Sequence, residues 1–179
     1  MLVVRKPLNK MLFLFMVTAV QASKDYYWRD YDGAIPDDAL LAGRDADGRD
    51  VYIGQVYFRG EGLLPVQINP GIKGVYAALF QAKFAKEYIQ ILCGKLDNFG
   101  WLQTNSSTIV EDLNNRQPVV GGNEDAEGEK NYWIGAAYEN KTMCIGHVLE
   151  VVDADDEPRL HCVNKYGRFW RKSSYKILV

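Results

Sequence analysis

One pattern occurs twice along this chain of 179 residues: a tryptophan, an acidic glycine turn, a short aromatic strand and a closing Ile-Leu pair. The first copy runs from Trp28 to Cys93 and a looser second copy from Trp101 to Val179. Gly43 answers Gly122, Asp45 answers Glu124, and Asp47-Gly48 answers Glu127-Gly128. Farther on, Ile53-Gly54 answers Ile134-Gly135, Tyr57 answers Tyr138, and Ile91-Leu92 answers Ile177-Leu178. Solenoids need about three or more stacked repeats to bury their faces. Two copies therefore predict a pseudo-two-fold module, all-β and antiparallel, in which each copy covers the other.

The local signals are those of strands and turns. Asp47-Gly48 offers the positive φ of a tight hairpin, and Val51 to Phe58 is β-branched and aromatic on both faces, as a buried strand should be. Further strands are expected at Tyr26 to Trp28, Ile89 to Cys93, Tyr132 to Tyr138, Met143 to Val151, Arg159 to Val163 and Tyr175 to Val179. The polar run from Asn105 to Gln117 reads as a surface loop. Val75 to Tyr88 stays ambiguous, because Tyr76, Leu79, Phe80, Phe84 and Tyr88 also fit the spacing of an amphipathic helix.

The first ten residues hold Arg5, Lys6 and Lys10 without an acid, and an apolar run from Met11 to Val20 follows. That run is about half of what a bilayer requires, and Val20 and Ala22 are small residues suited to cleavage. Residues 1–22 are thus expected to be a secretory signal, leaving 23–179 as one module with repeats at about 26–94 and 98–179. Export would give meaning to two glycosylation sequons, at Asn105 and Asn140. The three cysteines, Cys93, Cys144 and Cys162, are an odd number for an oxidising compartment. A hairpin centred on Ala154-Asp155 would set Cys162 beside His147, which disfavours a Cys144–Cys162 bridge but leaves the pairing open.

Charge narrows the partners. The net charge is −2 and becomes more negative once the basic leader is removed. Nucleic acid and anionic membranes call for a basic face, so neither is the expected partner, and no membrane insertion is expected. Asp45, Asp47 and Asp50 lack the glycine and glutamate of a calcium loop. His147, His161, Cys144 and Cys162 fail as a zinc set, since the adjacent His161 and Cys162 point to opposite faces of a strand. No nucleophile elbow, phosphate loop or dinucleotide fingerprint is present, so no catalysis, metal or cofactor is expected.

The order Trp, Ile35-Pro36, Ala42-Gly43-Arg44-Asp45, Asp47-Gly48, Tyr52-Ile53-Gly54, Gly60-Glu61 and a last Ile-Leu strand resembles the DM-nine repeat family, over nearly all of the chain from Trp28 onward. That family includes a mannose-binding bivalve lectin of two tandem repeats, and its repeat also occurs in natterin-type toxins. The resemblance implies strand, turn and strand for Val75 to Tyr88. It also implies a secreted protein recognising mannose-type glycans, as in innate immunity, with avidity drawn from two sites or a homo-oligomer. In the similar lectin an aspartate, a Pro-Gly-Lys lysine and a nearby acid hold sugar hydroxyls. Their counterparts are Asp45, Gln67 and Glu61 in the first copy, and Glu124 and His147 in the second. The first copy keeps more of that pattern and is expected to dominate binding. The alternative is a secreted structural or protein-interaction module whose sugar site has decayed, because both lysines are replaced.

Overall fold

The computed structural model describes residues 26–125, 130–151 and 158–179. The expected leader at residues 1–22 and the Glu127-Gly128 turn lie outside the described residues. The first half contributes β1 (Tyr26–Asp30), β2 (Leu41–Arg44), β3 (Asp50–Phe58), β4 (Gly62–Ile68), β5 (Val75–Ala78), β6 (Ala82–Ala85) and β7 (Ile89–Gly94). The second contributes β8 (Trp101–Asn105), α1 (Ile109–Leu113), β9 (Val120–Asn123), β10 (Asn131–Glu139), β11 (Thr142–Leu149), β12 (Leu160–Val163), β13 (Phe169–Lys172) and β14 (Ser174–Leu178). Pairing is antiparallel throughout, and the fold is all-β.

Two long strands are the hubs. β3 pairs with β2, β4 and β7, while β10 pairs with β9, β11 and β14. Ile53 stands opposite Gln67, and Ile134 opposite His147. Trp28 on β1 stands opposite Leu92 on β7, and Trp101 on β8 opposite Leu178 on β14. The halves meet where Leu63 of β4 pairs with Asn123 of β9. A side chain at Gly122 would collide with the Leu63 carbonyl, so this seam can close only over a residue without a Cβ.

Burial explains the hubs. Val51, Ile53 and Leu92 pack in one cluster with Ile134, Met143, Ile145 and Leu178, so the central core draws on both halves. Covering each such side chain is worth about 1.5–3 kcal/mol. Trp28 and Trp101 both lie half-buried against this cluster. The first half adds a cluster around Val56, Leu64, Ile68 and Ile91, and the second one around Trp133, Val148, Leu160 and Tyr175.

Three points are resolved. Val75 to Tyr88, ambiguous in the sequence, forms the strand, turn and strand that the resemblance implied, β5 and β6, with Val75 and Ala77 buried and Tyr76 between them half-exposed. Residues 105–117 are not loop throughout: α1 forms there, anchored by buried Ile109 and by Asp112, which accepts from the Thr104 and Thr108 hydroxyls. Third, Cys144 and Cys162 form a disulfide, with Cα atoms 5.8 Å apart. The expected register was one residue out: Gly146, not His147, faces Cys162. Cys144 and Cys162 then become diagonal neighbours on one face, and the missing Cβ of Gly146 leaves room for the Cys162 side chain. Cys93 remains a buried thiol whose pKa is pushed up to about 11, first by burial and then by the nearby Asp38 carboxylate. Among the described residues no helix is long and apolar enough to cross a membrane.

Candidate functional site

The two halves of the chain carry unlike sites. In the first, the turn between β2 and β3 is closed by Asp45, whose amide donates to the Arg49 carbonyl at 2.9 Å. Its Oδ1 accepts from the amides of Asp47 at 2.9 Å and Arg49 at 3.0 Å. Its Oδ2 accepts from Lys165 Nζ at 2.6 Å, and Lys165 also donates to Asp47 at 2.7 Å. Burial acts to raise the Asp45 pKa, but Lys165 and the two amides outweigh it and hold the carboxyl below its usual range. The turn carrying Lys165 has the same design: Asn164 Oδ1 accepts from the amides of Tyr166 and Arg168, both at 3.0 Å.

Gln67 is partly committed. It is buried, its Nε2 donates to Asn69 at 2.8 Å, its Oε1 has no hydrogen-bond partner among the described residues, and the crevice it shares with Asn164 and Lys165 measures only about 20 Å³. That is about the room of one water, far below a sugar ring. Glu61 sits at the far end of β3, in the turn before β4, where it accepts from Lys83 at 2.7 Å. The nine residues of β3 separate that turn from the Asp45 end, about 30 Å of chain. The structure therefore ties Asp45 to Lys165, places Gln67 in a crevice that Lys165 also lines, and sets Glu61 apart.

The second copy is open. A cavity of about 290 Å³ is bounded by Glu124, Tyr132, His147 and His161, with Leu79 and Phe80 from the turn between β5 and β6 on its apolar side. Glu124 opens the turn after β9 and accepts from the Tyr132 hydroxyl at 3.1 Å. His147 and His161 are direct cross-strand partners on β11 and β12, with ring centroids 5.3 Å apart. The Tyr132 ring lies 4.4 Å from that of His147 on the other side.

Both imidazoles are neutral at physiological pH. Burial, then the proximity of His161, pushes His147 down to about 3, while burial followed by Arg171 and Arg159 lowers His161. His147 is only 6% exposed, and its Nδ1 and the Nε2 of His161 are buried with no hydrogen-bond partner among the described residues. Such groups are uncommon in folded proteins and call for an explanation. At the rim Phe80 is fully exposed, an apolar ring held out at the tip of a hairpin.

Metal binding draws no support from the side-chain placement. Among the described residues no three His, Cys, Asp or Glu side chains converge, and Cys144 and Cys162 are bonded to each other on the face opposite the imidazoles. The two sequon asparagines lie at turns. Asn140 is exposed with φ 50° between β10 and β11, and Asn105 Oδ1 accepts from the Ser107 amide at 2.9 Å.

Sequence reasoning found Glu124 and His147 through their alignment with Asp45 and Gln67, and weighed His161 only as a metal ligand. It missed Phe80, Tyr132, Lys165 and Arg171. Tyr132 had a signal, since Tyr-Trp-Ile-Gly answers Tyr-Ile-Gly; Lys165 and Phe80 come from turns remote in the chain. No family model matches the chain, and no curated protein matches it.

Proposed function

We propose that this protein is a secreted, non-catalytic carbohydrate-recognition module built from two DM-nine-like repeats related by a pseudo-two-fold. Its working site is the cavity between Glu124 and His147. The observation that carries this is a cavity of about 290 Å³ lined by Glu124, Tyr132, His147, His161 and Phe80. A carboxylate offers acceptors and a neutral imidazole one donor and one acceptor, the kind of set with which vicinal hydroxyls pair. Phe80 would supply the apolar face on which the flat side of a pyranose rests.

The repeat reading rests on matched registers. Gln67 and His147 each oppose the isoleucine of an Ile-Gly pair, Trp28 and Trp101 each oppose the leucine of an Ile-Leu pair, and the amides of Asp45 and Glu124 each close a turn. Export and N-glycans at Asn105 and Asn140 belong to the same proposal, and the disulfide is compatible with them.

Titration calorimetry with mannose and mannan tests the reading. Monovalent binding near the millimolar range, about −4 kcal/mol, is expected, with avidity on the polymer. No heat with any neutral or acidic glycan would end it. The second reading, a protein-interaction module, is favoured by the first copy, where Asp45 is committed to Lys165 and Gln67 to Asn69.

A further inference from the structure

The floor of the open cavity is one cross-strand ladder. His147 on β11 opposes His161 on β12, which in turn opposes Arg171 on β13. The side chains of such a row share one face. The row grades from a buried imidazole through a half-buried one to an exposed guanidinium. Adjacent strands lie about 4.8 Å apart, so the row spans about 10 Å from His147 to Arg171, the reach of one pyranose ring with its exocyclic group and a hydrogen bond at each end.

We infer that the ligand class of this site is an acidic sugar, a hexuronate whose ring hydroxyls meet His147, His161 and Glu124 and whose exocyclic carboxylate meets Arg171. This rests on the carbohydrate reading and sharpens it. Three observations support it. Arg171 lines the cavity at its open end, with Arg159 also on that wall. Both lie close enough to His161 to help keep its ring neutral. Of the cavity's two carboxylates, Glu150 is held by the Asn131 side-chain amide at 2.8 Å, while Glu124, which accepts from Tyr132 at 3.1 Å through Oε1, is the one assigned to the ring hydroxyls. A guanidinium presents a planar fork that matches a carboxylate with two parallel bonds, which a neutral hydroxymethyl group cannot return.

The experiment compares methyl glucuronide with methyl glucoside, which differ only in the exocyclic carboxylate, by calorimetry on the intact protein and on R171Q and R171K. Wild type should favour the uronide by roughly tenfold, the worth of one charge-assisted contact. R171Q should bring the ratio near one, and R171K should leave an intermediate ratio because charge survives without the fork. The preference should also shrink as sodium chloride rises from about 50 to 500 mM, the behaviour of a partly exposed ion pair. Equal binding of the two sugars, or a preference that survives in R171Q, overturns the acidic-sugar inference while the carbohydrate reading stands. Failure of both sugars, and of their polymers, to bind overturns both. Arg171 is exposed on its strand, and circular dichroism matching wild type confirms that the variants are folded.

Discussion

Lys165 sets its ammonium 2.6 Å from Asp45 across 120 residues of chain, and so joins the β2–β3 turn of the first half to the β12–β13 turn of the second. Both side chains are almost wholly buried, 9% and 3% exposed. The bond draws Lys165 above and Asp45 below their ordinary pKa values, so the pair stays ionised across the physiological range. It occupies the place where the family resemblance would put sugar-binding groups in the first copy.

Removing one partner should therefore act on stability. Lys165→Met leaves Asp45 with its two amide donors but no counter-charge, a loss of about 2–3 kcal/mol in urea denaturation. Asp45→Asn in the same background should cost much less than the sum of the singles, because the buried charge goes with it. Additive losses would show that the ion pair is not the linking element.

Acid should weaken the fold through His147. Its folded pKa of about 3 lies below the ordinary 6.5, so the unfolded chain binds the proton first. The contribution is fully present above about pH 6.5 and is lost as pH falls toward the folded value, at up to about 1.4 kcal/mol per pH unit. His161, also lowered, adds to the same window. Melting temperatures between pH 7 and 4 should fall in wild type and fall less in His147→Gln. An unchanged slope in the variant would place the acid sensitivity elsewhere.

Reduction of Cys144–Cys162, which are 18 residues apart, should cost about 3 kcal/mol by releasing a closed loop of the unfolded chain. Cys93 should resist alkylation in the native protein and react only on denaturation, since it is buried with a thiol pKa of about 11. Thiol titration with and without denaturant reads both. Rapid native labelling of Cys93 would contradict its burial.

The strands that were legible in the sequence are those that carry the shared core, because burial on both faces leaves dense runs such as Val51 to Phe58. β2, β4, β8, β9 and β13 were not: β2, β9 and β13 are four-residue strands that gain their register from a neighbour, and β4, though buried along most of its length, carries Pro65, which reads against a central strand. Val75 to Tyr88 stayed open because its apolar spacing also fits a helix; Phe80, which a helix would have buried, stands fully exposed. The aligned acids were legible as turn closers. What could not be read was occupancy, because Lys165, which closes the first site, and Phe80 and Arg171, which shape the second, reach their places only through tertiary folding.

That asymmetry yields the sharpest functional prediction. The first copy keeps the better family pattern, yet its crevice holds about 20 Å³ against about 290 Å³ in the second. Glycan affinity should therefore follow the second copy. Phe80→Ala, at a fully exposed ring, should leave the melting temperature within error and weaken binding about tenfold, the worth of a stacking face. Glu124→Gln should also weaken binding, because the amide replaces one acceptor oxygen with a donor beside the Tyr132 hydroxyl. Asp45→Asn should lower stability and leave affinity intact, since that carboxylate is spent on its own turn and on Lys165. Calorimetry paired with thermal melts on the three variants separates the effects. Lost binding in Asp45→Asn with full binding in Glu124→Gln and Phe80→Ala would return the working site to the first copy.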